Sequence, residues 1–436
     1  MFILYDLIFI LFALFYLPIY ILRRKFHPGF LMRLGIYPKK IKEQLRGVRP
    51  IWLHAVSVGE ALASRRLLEG LHSEYPGKQI IISTVTPAGN KIALSIAKER
   101  DSVIYLPLDI SFIVKYVLSF INPSVFIIAE TEIWPNLISC LNTRNVPVIV
   151  VNARISDGSY RGYRLIKFLL KPILDKINLF CVQTETDYLR LLDLGAEEEK
   201  IKITGNMKFD NHACLPAGRE DTDFFTDYTQ FRRKLGLKDN ERLMVAGSTH
   251  HGEEEIILNA YKELSRGFPE ARLLIAPRHP ERSREIERLA LNYGFAVVFI
   301  SGLPAPRVSA GQPATVFILD TIGQLMNFYA IADIVFVGGS LIKKGGHNIL
   351  EPAVYGKPII FGPWMFNFRD IASLFLKHKA SLLVHNEGEL KESIKNLLNN
   401  PAAAQELGRR AKELIAQNQG AATRNLENIK NYLPVS

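Results

Sequence analysis

The stretch Gly338-Gly339-Ser340, followed by Gly345-Gly346-His347-Asn348-Ile349-Leu350-Glu351-Pro352-Ala353, carries the residue types of a phosphate and ribose cradle. Glycines let main-chain N–H groups approach an anion closely, and a helix starting near Ile349 adds the partial positive charge of its N-terminus. Glu351 then falls in the first turn, where its carboxylate can accept hydrogen bonds from two vicinal hydroxyls of a ribose. The same glycines also fit a plain strand–turn–helix connection with Glu351 as a helix-start acid.

Other chemistry-bearing residues also follow short apolar runs. Trp52-Leu53-His54-Ala55-Val56 leads into Ser57, Gly59 and Glu60, and Glu60 is placed to take a proton from a hydroxyl, with a helix start expected to keep it ionised. As a bare feature it also reads as an acid complementing a helix dipole. Val125-Phe126-Ile127-Ile128-Ala129 delivers Glu130 and Glu132, two carboxylates that need a cationic or hydroxylated partner; Glu130 is the favoured participant. Ala246-Gly247-Ser248-Thr249-His250 precedes a Glu-rich helix start, a second phosphate-friendly nest. Arg278 ends the run before His279 and Pro280, where its planar fork can hold a phosphate or carboxylate through paired bonds. The histidines His250, His251, His279 and His347 lack metal-ligand spacing and read as hydrogen-bonding loop residues.

Strand-length apolar runs at 50–56, 79–84, 103–106, 125–129, 146–151, 179–182 and 201–203 alternate with helix-length stretches. The rhythm repeats at 243–246, 271–276, 296–299, 316–319, 334–337, 358–361 and 381–384. This is the βαβ pattern of parallel sheets covered on both faces, so the fold class is α/β with two doubly wound, Rossmann-like domains. Residues 26–210 form the first domain, 211–240 a polar connection with a short helix near 227–235, 241–401 the second domain, and 402–436 a C-terminal helix packing back toward the first. In such sheets ligands bind beyond the carboxyl ends of the strands, where the residues above lie.

The chain has 436 residues, 48% hydrophobic and 22% charged, enough for two or three domains. Cys140, Cys181 and Cys214 show neither disulfide nor zinc spacing and read as small buried hydrophobes in a reducing compartment. Phe2 to Leu22 is apolar apart from Asp6, long enough to cross a bilayer, and followed by Arg23, Arg24 and Lys25. Residues 1–25 thus read as a membrane anchor with the bulk of the chain on the cytoplasmic side, either spanning or lying in one leaflet. The net charge of +11 finds no nucleic-acid motif. Arg161, Arg164, Lys167 and Lys171 instead line one stripe of a helix whose other faces carry Leu165, Ile166, Phe168, Leu169 and Leu170, suited to anionic lipid or to plain solvation.

Taken in order, residues 52–60, 130–136, 205–210, 247–254, 277–280, 338–340, 345–353, 362–363 and 367–368 resemble the 3-deoxy-D-manno-octulosonic acid (Kdo) transferases of lipopolysaccharide synthesis along nearly the whole chain. That resemblance implies a GT-B glycosyltransferase, with its two domains facing across a cleft. It implies CMP-Kdo as donor, a lipid A precursor in the inner membrane as acceptor, and inversion at the anomeric centre without a cofactor or active-site metal. Glu60 then matches the general base and Glu130 the second acid. Lys208 and Arg278 match cationic positions near the donor, and Ser248, His250, Gly339, Ser340, Asn348 and Glu351 fall in its binding region. The segment Thr86-Pro87-Ala88-Gly89-Asn90 departs from the family's usual loop. Two rival readings stay open: a nucleotide-sugar epimerase of the same architecture, and a membrane-tethered nucleotide-binding protein that catalyses nothing.

Overall fold

The computed structural model describes residues 5–7, 9, 11, 29–212, 231–233, 235–302 and 314–433. They belong to two compact units, Met1–Asn211 with Asn418–Ser436, and His212–Gln417.

The first unit contains β1 (Ile51–His54), β2 (Ile80–Thr84), β3 (Ser102–Tyr105), β4 (Val125–Ala129), β5 (Val148–Ala153), β6 (Leu179–Val182) and β7 (Ile201–Ile203). They form a parallel sheet in the order β3-β2-β1-β4-β5-β6-β7. Its apolar runs are continuous because both faces are covered. Trp52, Phe126, Ile128, Val150 and Phe180 point into one core, while Ile51, Leu53, Val125, Ile127 and Ile149 point into the other.

The second unit repeats the plan with β8 (Arg242–Thr249), β9 (Ala271–Pro277), β10 (Ala296–Phe299), β11 (Thr315–Ile318), β12 (Ile334–Val337), β13 (Ile359–Phe361) and β14 (Leu382–Leu383), in the parallel order β10-β11-β9-β8-β12-β13-β14. The winding direction reverses between the first strand and the fourth in the first sheet, at β1/β4, and between the first strand and the fifth in the second, at β8/β12. Those reversals open the crevices where doubly wound proteins place ligands.

Two expectations are corrected. The tail is two helices, Pro401–Asn418 in the second unit and Ala421–Lys430 in the first, because Gly420 between them adopts a left-handed φ of 86°. The returning helix is tied down by the Asp210 carboxylate, which accepts from Gly420 N at 2.6 Å and Ala422 N at 2.5 Å. Close packing adds to this, since a Cβ on Gly70 would lie 2.8 Å from Leu426.

The basic stripe is also split, between helices Asp157–Leu165 and Lys167–Leu174. Ile166 leaves helical geometry between them, and Pro172 has no N–H to continue the ladder. Lys167 and Arg164 reach Asp193 at 3.9 and 3.5 Å, and Lys171 pairs with Asp175 at 2.9 Å. Arg161 donates to the Asp157 carbonyl at 3.3 Å. The apolar residues expected on the other faces stand largely in the open, with Leu165 81% and Phe168 74% exposed.

The units divide between Asn211 and His212, one residue past the expected end of the first domain at 210. Residues 213–230 and Cys214 lie outside the described residues, and 231–233 are helical. Cys140 and Cys181 are free and buried. Most of the expected anchor, including 12–25, also lies outside the described residues, and no described helix is long and apolar enough to cross a membrane.

Candidate active site

At the first unit's switch point, Ser57 is the residue before the helix Val58–Ala63, in extended geometry, and Glu60 falls in the helix's first turn. The Glu60 carboxylate turns back to accept from Val56 N at 2.5 Å and Ser57 Oγ at 2.9 Å. Its pKa is nonetheless raised, first by burial and then by the charge of Glu130, which together outweigh those hydrogen bonds. Burial and the Glu130 charge thus act against the helix start expected to keep Glu60 ionised, and make Glu60 a stronger base than an ordinary carboxylate. The neighbouring helix Pro87–Ile96 approaches so closely that a Cβ on Gly89 would lie 3.1 Å from Val56 O, which gives the Thr86–Asn90 segment a packing role beside Glu60.

Glu130 follows β4 in the left-handed region, φ 61°, an unfavourable conformation for a residue with a side chain and a cost of about 1–3 kcal/mol. Its N–H is held by the Val151 carbonyl at 2.9 Å. Lys208 Nζ sits 3.0 Å from Glu130 Oε1, so this cation compensates an acid of its own unit. Glu132 was the lesser partner in the sequence. Its pKa is pushed up to about 7 by burial and by the charges of Glu60 and Glu130, so three carboxylates share this crevice. The signal for it was present in the spacing Glu130-Thr131-Glu132, but not its burial.

At the second unit's switch point, β8 ends with Ser248 at φ 58° and a register shift against β9 between Gly247 and Thr249. Gly338 lies against this turn, and a Cβ there would come within 2.5 Å of Ser248 O. The glycine loop does present converging N–H groups, but they are already filled. The Glu253 carboxylate accepts from Gly339 N at 2.6 Å, Ser340 N at 2.9 Å, Leu341 N at 3.0 Å and His250 N at 3.1 Å. Ser340 is fully buried, and its hydroxyl donates to Val337 O and accepts from Gly362 N at 2.8 Å. The phosphate-cradle expectation for the Gly339 and Ser340 amides is thus corrected: a resident carboxylate occupies them, and both residues shape the loop. Glu253, six residues beyond Gly247, was missed because a Glu-rich helix start looks like simple dipole complementation.

Around that loop the second unit gathers basic groups. His250 Nε2 and His347 Nε2 are 2.8 Å apart, so one ring donates to the other, and His279 meets His250 edge-on at 6.1 Å between centroids. His347 is thus a hydrogen-bonding loop histidine, paired with His250. Burial and the neighbouring His250, Arg278 and His279 hold His347 down to about 4, and burial with Lys344 lowers His250, so this pair is neutral at pH 7. Arg278 is exposed, and its guanidinium has no ion-pair partner among the described residues. Its charge reaches both His347 and Glu351. Asn348 Nδ2 lies 3.3 Å from Glu351 Oε1, and burial pushes Glu351 up to about 7. Arg278, Asn348, Glu351, His250 and Ser248 therefore do share one strand-end region. The described residues include no group of three or more His, Cys, Asp or Glu arranged to hold a metal.

The two parallel, doubly wound units give the chain a fold of the GT-B class. UDP-GlcNAc 2-epimerase from Neisseria meningitidis, bound to UDP-GlcNAc, matches over 88% of this chain and 100% of its own with a TM-score of 0.60 and 14% identity, a likeness of fold alone. The family description 3-Deoxy-D-manno-octulosonic-acid transferase (kdotransferase) matches residues 29–211. The 3-deoxy-D-manno-octulosonic acid transferase of Haemophilus influenzae is 35% identical over 88% of this chain and 87% of its own length. That of Chlamydophila psittaci is 30% identical over 99% of this chain and 96% of its own. The chain belongs to the Kdo transferase family, and is a glycosyltransferase.

Proposed function

We propose that this protein transfers Kdo from CMP-Kdo to a lipid A precursor at the cytoplasmic face of the inner membrane, with inversion and without a resident metal or cofactor. Glu60 takes the proton of the acceptor hydroxyl as that oxygen bonds to the anomeric carbon. The bond from that carbon to the CMP phosphate oxygen breaks, and CMP leaves with the electron pair. The observation that carries this reading is the Glu60 carboxylate at the β1/β4 crevice. It is aimed by two hydrogen bonds and raised in basicity by burial and Glu130.

The donor carries a carboxylate and a phosphate, and leaving CMP adds negative charge. Arg278, exposed and free of an ion-pair partner among the described residues, and Lys344 supply fixed positive charge beside Asn348 and Glu351, which suit a ribose. Neutral His250 and His347 add donors without competing for protons at pH 7. Exposed Leu165, Ile166, Phe168 and Leu169, ringed by Arg161, Arg164, Lys167 and Lys171, suit a bilayer surface, where a lipid-borne acceptor is found.

The full-length protein in phospholipid vesicles, given a CMP-Kdo-generating mixture and a tetra-acylated, bisphosphorylated disaccharide lipid, is expected to add the mass of Kdo to the lipid and release CMP. Donor consumed with no change in lipid mass, or no donor consumed, overturns the reading.

A further inference from the structure

The apolar run Phe2–Leu22 contains one charge, Asp6, and that charge is not left to lipid. Asp6 Oδ1 accepts from Ser111 N at 3.1 Å and from Asn136 Nδ2 at 2.7 Å, and its Oδ2 accepts from Ser111 Oγ. Asn136 is fully buried and stands in the first turn of the helix Pro135–Asn142, directly after the loop that carries Glu130 and Glu132. Its other anchor is Asp109, which accepts from Asn136 N at 3.0 Å and Leu137 N at 2.8 Å through its carboxylate and from Asn136 Nδ2 at 2.6 Å through its carbonyl. Both hydrogens of the Asn136 amide are therefore used, one by each aspartate.

The helical residues around Asp6 show two edges. Phe9 packs against the core of the first unit and lies 6.2 Å from the Tyr5 ring, while Leu7 and Leu11 remain 55% and 48% exposed. In a helix that crossed the bilayer, residue 6 would stand about 24 Å along the axis from residue 22, most of the way across a hydrocarbon core of about 30 Å. A buried amide of the globular unit has no means of meeting a carboxylate there.

We propose that Asp6 is a positioning residue: it pins the helical residues around it to the first unit and buttresses the loop of acids. The exposed Leu7 and Leu11 are then turned toward acyl chains of the near leaflet. This rests on the membrane reading above, and it ties membrane seating to the geometry of Glu130 and Glu132. An unpartnered carboxylate at residue 6 would be expensive in lipid, whereas three hydrogen bonds satisfy it at the protein edge.

The test uses the full chain carrying Asp6→Cys, Ser111→Cys and Cys214→Ser in native vesicles. Mild oxidation is expected to form an intramolecular disulfide, read as a loss of two mass units on the intact protein, with no substrate present. A variant that folds, read by its circular dichroism and cooperative thermal melt, yet gives no disulfide overturns docking. Should that variant fail to fold, Phe2→Cys in intact cells replaces it: labelling by an impermeant maleimide from outside overturns docking, and protection supports it. For positioning, Asp6→Ala is expected to lower kcat about tenfold with donor KM unchanged, and Asp6→Asn to restore most of it. No loss in Asp6→Ala, or a matching rise in donor KM, overturns the positioning role. Failure of the unaltered protein to transfer Kdo would sink the reaction assignment while leaving the disulfide result intact.

Discussion

The two units each build a seven-stranded parallel sheet and open a crevice where its winding reverses beside the first strand, yet they charge them oppositely. At β1/β4 three carboxylates, Glu60, Glu130 and Glu132, press against one another, with Lys208 compensating one of them. At β8/β12 the loop amides are consumed by the unit's own Glu253, and what faces outward is Arg278, Lys344 and a neutral histidine pair. The same backbone device therefore serves two purposes. One crevice concentrates basicity by burying like charges, and the other concentrates positive charge by satisfying its amides internally.

The largest expected effects separate the two crevices. Glu60→Gln should lower kcat by about 10²–10⁴-fold, the usual span of general-base catalysis, while CMP affinity measured by calorimetry stays unchanged. Arg278→Ala should do the reverse, weakening CMP about tenfold or more through loss of a charged hydrogen bond. If both variants moved the same parameter, the division of labour between the units would be lost.

A smaller effect probes the filled amide nest. Glu253→Gln keeps the size of the side chain but leaves it unable to accept from all four N–H groups as an anion, so denaturant unfolding should show a loss of about 1–3 kcal/mol. CMP affinity should fall with it, because the loop holding Asn348 and Glu351 loosens. Unchanged stability with tighter phosphate binding would mean that the nest is available to ligand after all.

The smallest effect is a shift in pH profile. Glu60 must be ionised to act as base, so activity is lost as pH falls through its pKa, and that limb lies above the ordinary glutamate value of about 4.3 because the pKa is raised. Removing the neighbouring charge with Glu130→Gln should move the acid limb of kcat/KM to lower pH. Glu253→Gln should leave the limb where it was, since Glu253 belongs to the other unit. A limb that ignored Glu130 would detach the two acids.

The strands were legible because parallel strands buried on both faces read as continuous apolar runs; every one of the expected runs overlaps a strand of β1–β14, down to the two-residue Leu382–Leu383. Helix continuity was less legible. Arg161, Arg164, Lys167 and Lys171 have helical spacing, but that spacing says nothing about the break at Ile166. The roles of the glycine-loop residues were least legible, because glycines announce available N–H groups without naming the acceptor.

The sequence by itself determined the alternation of strand and helix, the two sheets, the family, and which loops carry acids and which carry bases. These follow from local apolar patterning and from residue type at strand ends. Only the tertiary structure decided where each charge found its partner: Glu253 with Gly339 across 86 positions, and Asp6 with Asn136 across 130. A buried carboxylate takes whichever donors packing brings to it, and packing is a property of the folded chain, not of its spacing.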